Sequence, residues 1–435
     1  MNRSSLRKTP FSRKLAELRL FGVAAFVTFF SAHAMAEAPA VSSLYPAGVQ
    51  RGQSVDVTLN GKPGTAPVQA WTQSDALTLT MSEDAKTLTI AANESAVPGL
   101  HWIRISNAEG AGDLLPFFVG VLPELNETEP NDAHDELSPV TLPAVVNGIL
   151  NKSGDVDTCA VPLEPGQTLI ASIEANRSLS SPMDGVLQVL SPDGFVLEQN
   201  DDDHGFDPQL AFTARTAGLH FVRVFGFPAD PNSSIRYAGG GDYIYRLTLT
   251  TGPFIDHLAP GSPDSANQLS AIGWNLPADQ TTLDETVQTP GLHHVRPFEP
   301  GEPAAVSEPS TSRALPLHVI GHLAEPGEVD AYPFDAKAGA SLKIAVRARA
   351  LERPLDAVLR ILNEAGDELQ QTDDAGRNVF DPALTWKAPA DGTYTLEVRD
   401  RFGHGGPRYV YDLTVLPEQP DVVAHPERVV EQPVE

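Results

Sequence analysis

The chain repeats a series of motifs, and this duplication constrains its fold more than any other feature of the sequence. Gly148 and Asp157 return as Gly321 and Asp330, in both cases 173 residues later. Self-similarity in a fixed order marks copies of one structural unit, so the sequence predicts two domains of the same fold. The motifs that recur are Asn147-Gly-Ile-Leu with Ile320-Gly-His-Leu, Gly154-Asp-Val-Asp with Gly327-Glu-Val-Asp, Met183-Asp-Gly-Val-Leu with Leu355-Asp-Ala-Val-Leu, Asp201-Asp with Asp373-Asp, and Phe206-Asp-Pro with Phe380-Asp-Pro.

Each copy consists of short runs in which apolar and polar residues alternate. Residues 218–224 and 243–249 close the first copy, and residues 392–398 and 409–415 close the second. Alternation with a period of two places one face of a strand on a core and the other in water. Short runs of this kind, separated by Gly, Pro, Asp and Asn, are typical of an antiparallel sandwich or jelly roll. No helical stripe follows residue 36, so the predicted fold class is all-β, with tandem β-sandwich domains.

Two further regions flank the first copy. Residues 41–122 contain strand-like runs of their own and are predicted to form a separate all-β unit. Residues 253–314 begin with a weaker echo of that unit and continue as a segment rich in Pro and Glu. The predicted boundaries are 1–36 for a signal peptide, 37–123 for the first sandwich, 124–252 for repeat 1, 253–314 for a degenerate β unit and linker, 315–417 for repeat 2, and 418–435 for a disordered tail.

The first 36 residues have the pattern of an export signal. Six basic side chains precede an apolar run at 20–32, and Ala34-Met-Ala36 supplies the small residues that a signal peptidase requires. The alternative, a membrane anchor, needs about 20 apolar residues, and this run is shorter. Cleavage removes six basic residues and one acidic residue, so the net charge changes from −27 to −32. Such acidity disfavours nucleic acid and anionic membranes as partners. We therefore expect a secreted, periplasmic or cell-surface protein with no membrane insertion after signal cleavage.

Signatures of catalysis are missing from the sequence. It contains no His-Glu-x-x-His, no Gly-x-Ser-x-Gly, no phosphate loop and no dinucleotide-binding glycine motif, so no catalytic residue is predicted. The single cysteine, Cys159, excludes an internal disulfide and is predicted to be a buried structural thiol. His293-His294 is interpreted as a surface pair. The four tryptophans lie in strand-like segments and are predicted to pack in cores; they are Trp71, Trp102, Trp274 and Trp386.

Both copies resemble the bacterial pre-peptidase C-terminal domain family. The resemblance implies a jelly-roll-like β-sandwich of the kind found beside secreted peptidases and in exported proteins, including the collagen-binding domains of clostridial collagenases. Residues 41–122 and 253–280 resemble immunoglobulin-like IPT/TIG modules, and the combination is similar to large exported proteins of planctomycete-type bacteria. The motifs that carry the main resemblance are Glu127-Thr-Glu-Pro-Asn-Asp, Asn147-Gly, Gly154-Asp-Val-Asp, Pro165-Gly-Gln, Asp184 with Leu187, Asp193-Gly, Asn200-Asp-Asp, Gly218 and the Tyr-rich last strand.

An acidic segment at the start of repeat 1 is the predicted metal site. In the collagen-binding relatives, the matching Glu-x-Glu-Pro-Asn-Asp segment binds calcium, and Ca²⁺ takes six to eight oxygen ligands. The alternative is a solvated acidic linker. Repeat 2 has no such motif at 301–309, and Glu328 replaces Asp155. The predicted calcium ligands are Glu127, Glu129, Asn131, Asp132, Asp155 and Asp157.

A second acidic group recurs in both copies. Asp201-Asp-Asp203 with Asp207 matches Asp373-Asp374 with Asp381, close to Asp184 and Asp356 respectively. Either a loop calcium site or turns in which the aspartates bind the backbone would explain these residues.

These features predict an exported, non-catalytic protein for binding or scaffolding. We expect it to tether to an extracellular or envelope protein or to a polysaccharide, with Ca²⁺ stiffening repeat 1. Two weak sites on one chain gain avidity when both engage together. The alternatives are an accessory module or subunit of a secreted peptidase or hydrolase, and a secreted hydrolase that uses an unrecognised carboxylate pair.

Overall fold

The described residues form β-sandwiches in tandem, which confirms the predicted all-β class. The computed structural model describes residues 37–133, 137–230, 236–260, 269–276, 312–351, 353–376 and 379–418. The predicted signal peptide, His293-His294 and residues 419–435 of the predicted tail lie outside these ranges. Within them, helix is confined to α1 (Asn176–Leu179) and a single 3₁₀ turn (Arg349–Leu351), and no helix has the length and hydrophobicity to span a bilayer.

The first sandwich packs two four-stranded sheets face to face. Their orders are β1-β3-β6-β5 and β2-β8-β7-β4. The inward residues alternate along each strand, and Ile103, Ile105 and Phe117 are almost fully buried between the sheets. The strands are β1 (Ala40–Tyr45), β2 (Gly48–Gln50), β3 (Ser54–Lys62), β4 (Gln69–Thr72), β5 (Leu77–Met81), β6 (Thr87–Ala92), β7 (Gly99–Asn107) and β8 (Gly110–Gly120).

Repeat 1 is a second sandwich, in which a five-stranded sheet faces a four-stranded one. Their orders are β15-β12-β17-β10-β9 and β11-β16-β13-β14. The first strand of this repeat, β9, lies at the sheet edge and runs parallel to β10. The strands are β9 (Glu124–Asn126), β10 (Ala144–Ile149), β11 (Asp157–Leu163), β12 (Thr168–Glu174), β13 (Met183–Leu190), β14 (Val196–Asn200), β15 (Gln209–Thr213), β16 (Gly218–Pro228) and β17 (Ile244–Thr250).

Repeat 2 has the same strand order as repeat 1 except that the described residues include no counterpart of β9. Its sheets are β20-β27-β22-β25 and β21-β26-β23-β24, and a two-stranded hairpin, β18-β19, precedes it. The strands are β18 (Phe254–Pro260), β19 (Leu269–Trp274), β20 (Leu317–His322), β21 (Val329–Ala336), β22 (Ser341–Arg347), β23 (Ala357–Leu362), β24 (Glu368–Thr372), β25 (Ala383–Lys387), β26 (Gly392–Asp400) and β27 (Val410–Pro417).

The recurring glycine of each repeat makes room for a buried tyrosine. Gly148 on β10 pairs with Tyr245 on β17, and Gly321 on β20 pairs with Tyr411 on β27. Both tyrosines are almost completely buried, and a Cβ atom at either glycine would overlap with the tyrosine ring. The spacing of the two glycines in the sequence therefore records a packing requirement.

The repeated loop aspartates bind backbone amides. Asp207 is fully buried and accepts hydrogen bonds from the N–H groups of three successive residues, 175–177, at 2.7–3.1 Å. Asp381 accepts the same three bonds from residues 348–350 at 2.8–2.9 Å. These carboxylates satisfy the backbone N–H groups at the start of a short helical turn, as the turn explanation predicts for both residues.

The tryptophan prediction holds for Trp386 and is wrong for two others. Trp386 packs in the core of repeat 2 against Phe334 and Tyr394. Trp71 and Trp102 instead point outward from β4 and β7, where they are 53% and 37% exposed. Alternation identifies two faces of a strand, but it does not by itself decide which face is buried.

Aromatic and charged groups join the first sandwich to repeat 1. Phe118 on β8 is fully buried, and the Arg246 guanidinium of β17 lies 4.7 Å from its ring centroid. Arg246 also forms an ion pair with Glu124 on β9. The Tyr45 hydroxyl donates a hydrogen bond of 3.1 Å to the carbonyl of Asn147. These contacts hold β9 between the two domains.

A buried ionic cluster joins repeat 1, the hairpin and repeat 2. The Arg408 guanidinium donates hydrogen bonds to Asp203 of repeat 1 at 2.5 Å and to Asp256 of β18 at 2.9 Å. It also stacks on Trp274 of β19, 4.8 Å from the ring centroid. Burial alone would raise the pKa of Asp256, but Arg408 and two histidines hold it well below its usual range. Arg408 thus supplies the charge that both buried carboxylates need.

We expect Gly148→Ala to destabilise repeat 1, because the added methyl group collides with the buried Tyr245 ring. Overpacking of this kind costs roughly 1–3 kcal/mol. Thermal denaturation should show a lower melting temperature for this variant. Gly392→Ala is the matched control, since its Cβ atom has no neighbour within 4 Å. Equal melting temperatures for the two variants would contradict the packing argument.

Arg408→Ala should destabilise the junction strongly, because it leaves Asp203 and Asp256 buried without a counter-charge. Breaking a buried pair from one side costs about 3–5 kcal/mol. The control is Lys337→Ala, which removes an exposed ion pair with Asp391 and should cost under about 1 kcal/mol. Calorimetry of both variants measures the difference, and similar shifts would count against a structural role for the cluster.

Candidate metal centre

Two chain segments bring the predicted calcium ligands to one end of repeat 1. Glu127 follows β9 directly, and its N–H donates to the carbonyl of Asn147 at 3.0 Å, which continues the strand pairing. Asp157 is the first residue of β11 in the opposite sheet, and Asp155 lies in the turn before it. The acidic segment and the turn therefore meet where the two sheets of the sandwich converge.

The deepest part of the cluster contains Glu127, Asp157 and Tyr245. The Tyr245 hydroxyl donates a hydrogen bond to Asp157 Oδ2 at 2.7 Å, and Glu127 Oε1 accepts one from the Ile149 N–H at 2.6 Å. Burial raises the pKa of Asp157 to about 9, and the nearby charge of Glu127 adds to this rise. Burial also raises the pKa of Glu127. Two carboxylates in this environment need a shared proton or a cation.

Glu129 joins the two aspartates at the outer side of this pair. One carboxylate oxygen from each of Glu129, Asp155 and Asp157 lies within 4.8 Å of the other two. Asp155 is completely buried, whereas Glu129 is exposed. Asn151 fixes the geometry, because its backbone N–H donates to Asp155 Oδ2 at 2.5 Å and its side-chain amide donates to Glu129.

Two buried oxygens in the cluster have no hydrogen-bond donor in the described part of the chain. They are Asn131 Oδ1 and Asp157 Oδ1. Asp155 Oδ1 is also buried, and its partner is Lys152 Nζ at 3.2 Å, on a largely exposed lysine. Buried polar atoms are nearly always satisfied by a protein group, a water molecule or an ion. Unsatisfied oxygens of this chemistry, grouped around carboxylates, fit a hard cation such as Ca²⁺.

Asp132 lies at the rim of the cluster. Its side chain is exposed, its Oδ1 accepts a hydrogen bond of 3.4 Å from the Val156 N–H, and Lys152 Nζ is 4.0 Å away. The structure thus groups five of the six predicted ligands and leaves Asp132 at the solvent side.

Sequence reasoning missed the tyrosine and the cavity that complete this site. A cavity of about 480 Å³ is lined by Glu127, Asn131, Cys159 and Tyr245, among others. Cys159 is half-buried, and burial, with the charges of Asp157 and Glu127, raises the pKa of its thiol to about 12. The thiol is therefore not an activated nucleophile. The signal for Tyr245 was its recurrence as Tyr411.

In repeat 2 the space that matches the cavity beside Cys159 is occupied by the side chain of Tyr332. The Tyr411 hydroxyl donates to Asp330 at 2.5 Å, as Tyr245 does to Asp157, and the Tyr332 hydroxyl lies 2.5 Å from that of Tyr411. Tyr332 takes the place of Cys159, and the Arg313 guanidinium lies 5.6 Å from its ring centroid. Residues 301–309, which would match the acidic segment, are outside the described residues. The polar end of Tyr411 is therefore satisfied within the protein.

A second trio of ligand-type side chains contains Asp203, His204 and Asp256. One such atom from each lies within 4.8 Å of the others. The Arg408 guanidinium, however, binds both carboxylates. This cation takes the position that a metal ion would need, so the trio is a junction and not a metal site.

Comparison with known proteins finds one curated relative that matches about half of the chain, and solved structures of low sequence identity. A probable subtilase-type serine protease of Deinococcus radiodurans is 30% identical over 221 residues, which are 49% of this chain and 26% of the protease. The chain thus spans about a quarter of that relative. The pre-peptidase C-terminal domain of a collagenase from Bacillus anthracis is 18% identical, with a TM-score of 0.18, over 23% of this chain and 89% of that domain.

A second solved structure is a Bacteroides ovatus protein from a mixed-linkage glucan utilisation locus, in complex with a heptasaccharide. It is 10% identical, with a TM-score of 0.18, over 87% of this chain and 75% of that protein. The family model for the bacterial pre-peptidase C-terminal domain matches residues 328–400, which include strands β21 to β26. The predicted resemblance is thereby confirmed for repeat 2, and residues 328–400 of this chain are a bacterial pre-peptidase C-terminal domain.

Proposed function

We propose that this chain is an exported, non-catalytic binding or scaffolding protein that tethers to an extracellular or envelope protein or to a polysaccharide. We further propose that Ca²⁺ binds at the acidic cluster of repeat 1 and stiffens that domain. The observation that carries the calcium proposal is the pair of buried oxygens without donors, Asn131 Oδ1 and Asp157 Oδ1, beside the grouped carboxylates of Glu129 and Asp155.

The cluster has the ligand chemistry that Ca²⁺ prefers. Glu127, Glu129, Asn131, Asp155 and Asp157 would supply oxygens, and Asp132 is close enough to the rim to contribute through water. The ligands come from two segments, residues 127–132 before β10 in the sequence and residues 155–157 after it. An ion held by both segments would lock β9 and its continuation onto the sandwich. Because β9 also contacts the first sandwich through Arg246, calcium would stiffen the connection between the domains.

Tandem sandwiches joined by buried contacts suit a scaffold. Arg246 and Phe118 fix the first junction, and Arg408 fixes the second through two buried aspartates. Buried ion pairs and stacked aromatic rings at both junctions would hold neighbouring domains in one arrangement. A rigid series of domains can present a binding face at a fixed distance from an attachment point.

A second candidate is an accessory module or subunit of a secreted peptidase. The observation that favours it is the 30% identity over 221 residues with a probable subtilase-type serine protease. In this role the chain would hold a peptidase or its substrate while cleavage takes place elsewhere.

Calcium should raise the melting temperature of the protein. At a calcium concentration about a hundredfold above the dissociation constant, the expected stabilisation is about 2.7 kcal/mol. The variant Glu127→Ala/Glu129→Ala should lose this response, and Glu198→Gln, which removes an exposed charge on β14, should keep it. Differential scanning calorimetry in calcium and in chelator tests the site. A wild-type melting curve that calcium leaves unchanged would contradict it.

Without calcium, the stability of repeat 1 should fall as the pH rises. Asp157 has a pKa of about 9 in the folded protein and an ordinary, lower value when unfolded, so the folded state holds this proton more tightly. The stabilisation is complete below the unfolded pKa and is lost as the pH approaches 9. Melting temperatures measured in chelator between pH 5 and pH 9 report this loss of stability, and Asp157→Asn should make the melting temperature less dependent on pH. If the wild type and the variant show the same pH dependence, Asp157 is not its source.

Binding and catalysis can be separated with insoluble substrates. Purified protein, loaded with calcium, is incubated with insoluble collagens and polysaccharides while the supernatant is assayed for soluble products. Retention on one of these solids without product release is the expected result. Release of peptides or sugars in the absence of added peptidase would overturn the non-catalytic assignment.

A further inference from the structure

One sheet of the first sandwich presents two tryptophans and an arginine on its outer face. Trp71 on β4 pairs with Arg104 on β7, and Trp102 lies two residues before Arg104 on the same strand. Paired residues share a face, and residues two apart on a strand point to the same side. The three side chains therefore project together. Leu114, which pairs with Arg104 from β8, extends the face and is 44% exposed.

The groups on this face have no partners within the described ranges. Neither indole has an aromatic neighbour or a hydrogen bond there, and Arg104 has no ion pair. Tryptophan combines a large apolar ring with an N–H donor, so it is most stable where one side is covered and one polar group is satisfied. An exposed aromatic patch of this kind typically marks a binding surface.

The patch continues a face that is already used for packing. Phe118, farther along β8, also points outward from this sheet, and it is fully buried together with Leu179 and Ile244 of repeat 1. Leu100 on β7 is half-buried at the border of that contact. Repeat 1 thus covers one half of the aromatic face, and the half with Trp71 and Trp102 extends beyond it.

The size of the free half suits a narrow ligand. A large aromatic side chain buries 150–250 Å², so two partly exposed indoles and one leucine offer on the order of 300 Å². A protein partner in a stable complex covers about 800 Å² of each surface. The patch is therefore too small for a typical protein interface, and its charged group, Arg104, neighbours both tryptophans.

We propose that this face is a polysaccharide-binding subsite, with Trp71 and Trp102 as stacking platforms. A sugar ring has an apolar face of C–H groups, which packs on an indole, and a polar edge of hydroxyl groups. Arg104 has five N–H donors and no described partner, so it can bind hydroxyl or carboxylate oxygens at that edge. This inference rests on the proposed extracellular binding function and specifies the class of partner.

The test uses residues 37–435 of this chain, loaded with calcium, and a panel of cellulose, chitin, insoluble β-1,3-glucan, peptidoglycan and alginate. We expect retention on at least one polysaccharide, and at least a tenfold weaker affinity for Trp71→Ala/Trp102→Ala. Phe195→Ala is the matched control, since this aromatic on repeat 1 is 71% exposed and lies outside the patch. Trp71→Tyr keeps a stacking ring and should retain most of the binding. The Arg104→Gln variant should lose more affinity for alginate than for a neutral glycan if the edge contact is a carboxylate.

Two outcomes would overturn the inference. If the double variant melts like wild type and binds the same polysaccharide with wild-type affinity, the tryptophans are not the subsite, while the proposed binding function stands. If wild type binds none of the five polysaccharides, the glycan assignment fails. Retention on collagen in the separate assay would then show that the binding function survives with a protein ligand. Should the double variant unfold, the single variants Trp71→Ala and Trp102→Ala are measured in its place against the same criterion.

Discussion

A tyrosine hydroxyl that binds an aspartate across the two sheets organises each repeat. Tyr245 reaches Asp157, and Tyr411 reaches Asp330, from strands of opposite sheets. A glycine on the neighbouring strand makes room for each ring. Because this bond places a carboxylate inside the sandwich, the surroundings must neutralise it. Repeat 2 satisfies its tyrosine with the hydroxyl of Tyr332, whereas repeat 1 surrounds the aspartate with further carboxylates that need a proton or a cation.

The two repeats thus share their strand order and loop structure and differ in the side chains around the buried tyrosine and its aspartate. The aspartates at 207 and 381 keep the same three backbone hydrogen bonds, so the loop is built in the same way twice. At the other end, Cys159 leaves a cavity where Tyr332 fills the corresponding space. The change from Cys159 to Tyr332 accompanies two others in repeat 2, the replacement of Asp155 by Glu328 and the loss of the acidic motif. The acidic segment after β9 then supplies the ligands that the cavity can accommodate.

Charge also joins the domains. Two arginines lie at the junctions: Arg246 stacks on Phe118, and Arg408 lies between Asp203 and Asp256. A guanidinium suits this role, because its planar donors satisfy two carboxylates while its face stacks on an aromatic ring. Repeat 1 covers the part of the aromatic face around Phe118. The part with Trp71 and Trp102 remains exposed to solvent.

Alternation and duplication in the sequence determined the all-β class, the position of most strands and the equivalence of the two repeats, because a period of two is a local property of the chain. The sequence also identified the acidic segment through its resemblance to a family motif. Only the tertiary structure decided that residues 127–131 meet Asp155 and Asp157 around Tyr245, that Arg408 supplies the charge for the Asp203 cluster, and that two tryptophans face outward. These outcomes depend on how sheets pack on one another, and contacts between residues far apart in the chain leave no periodic signal in it.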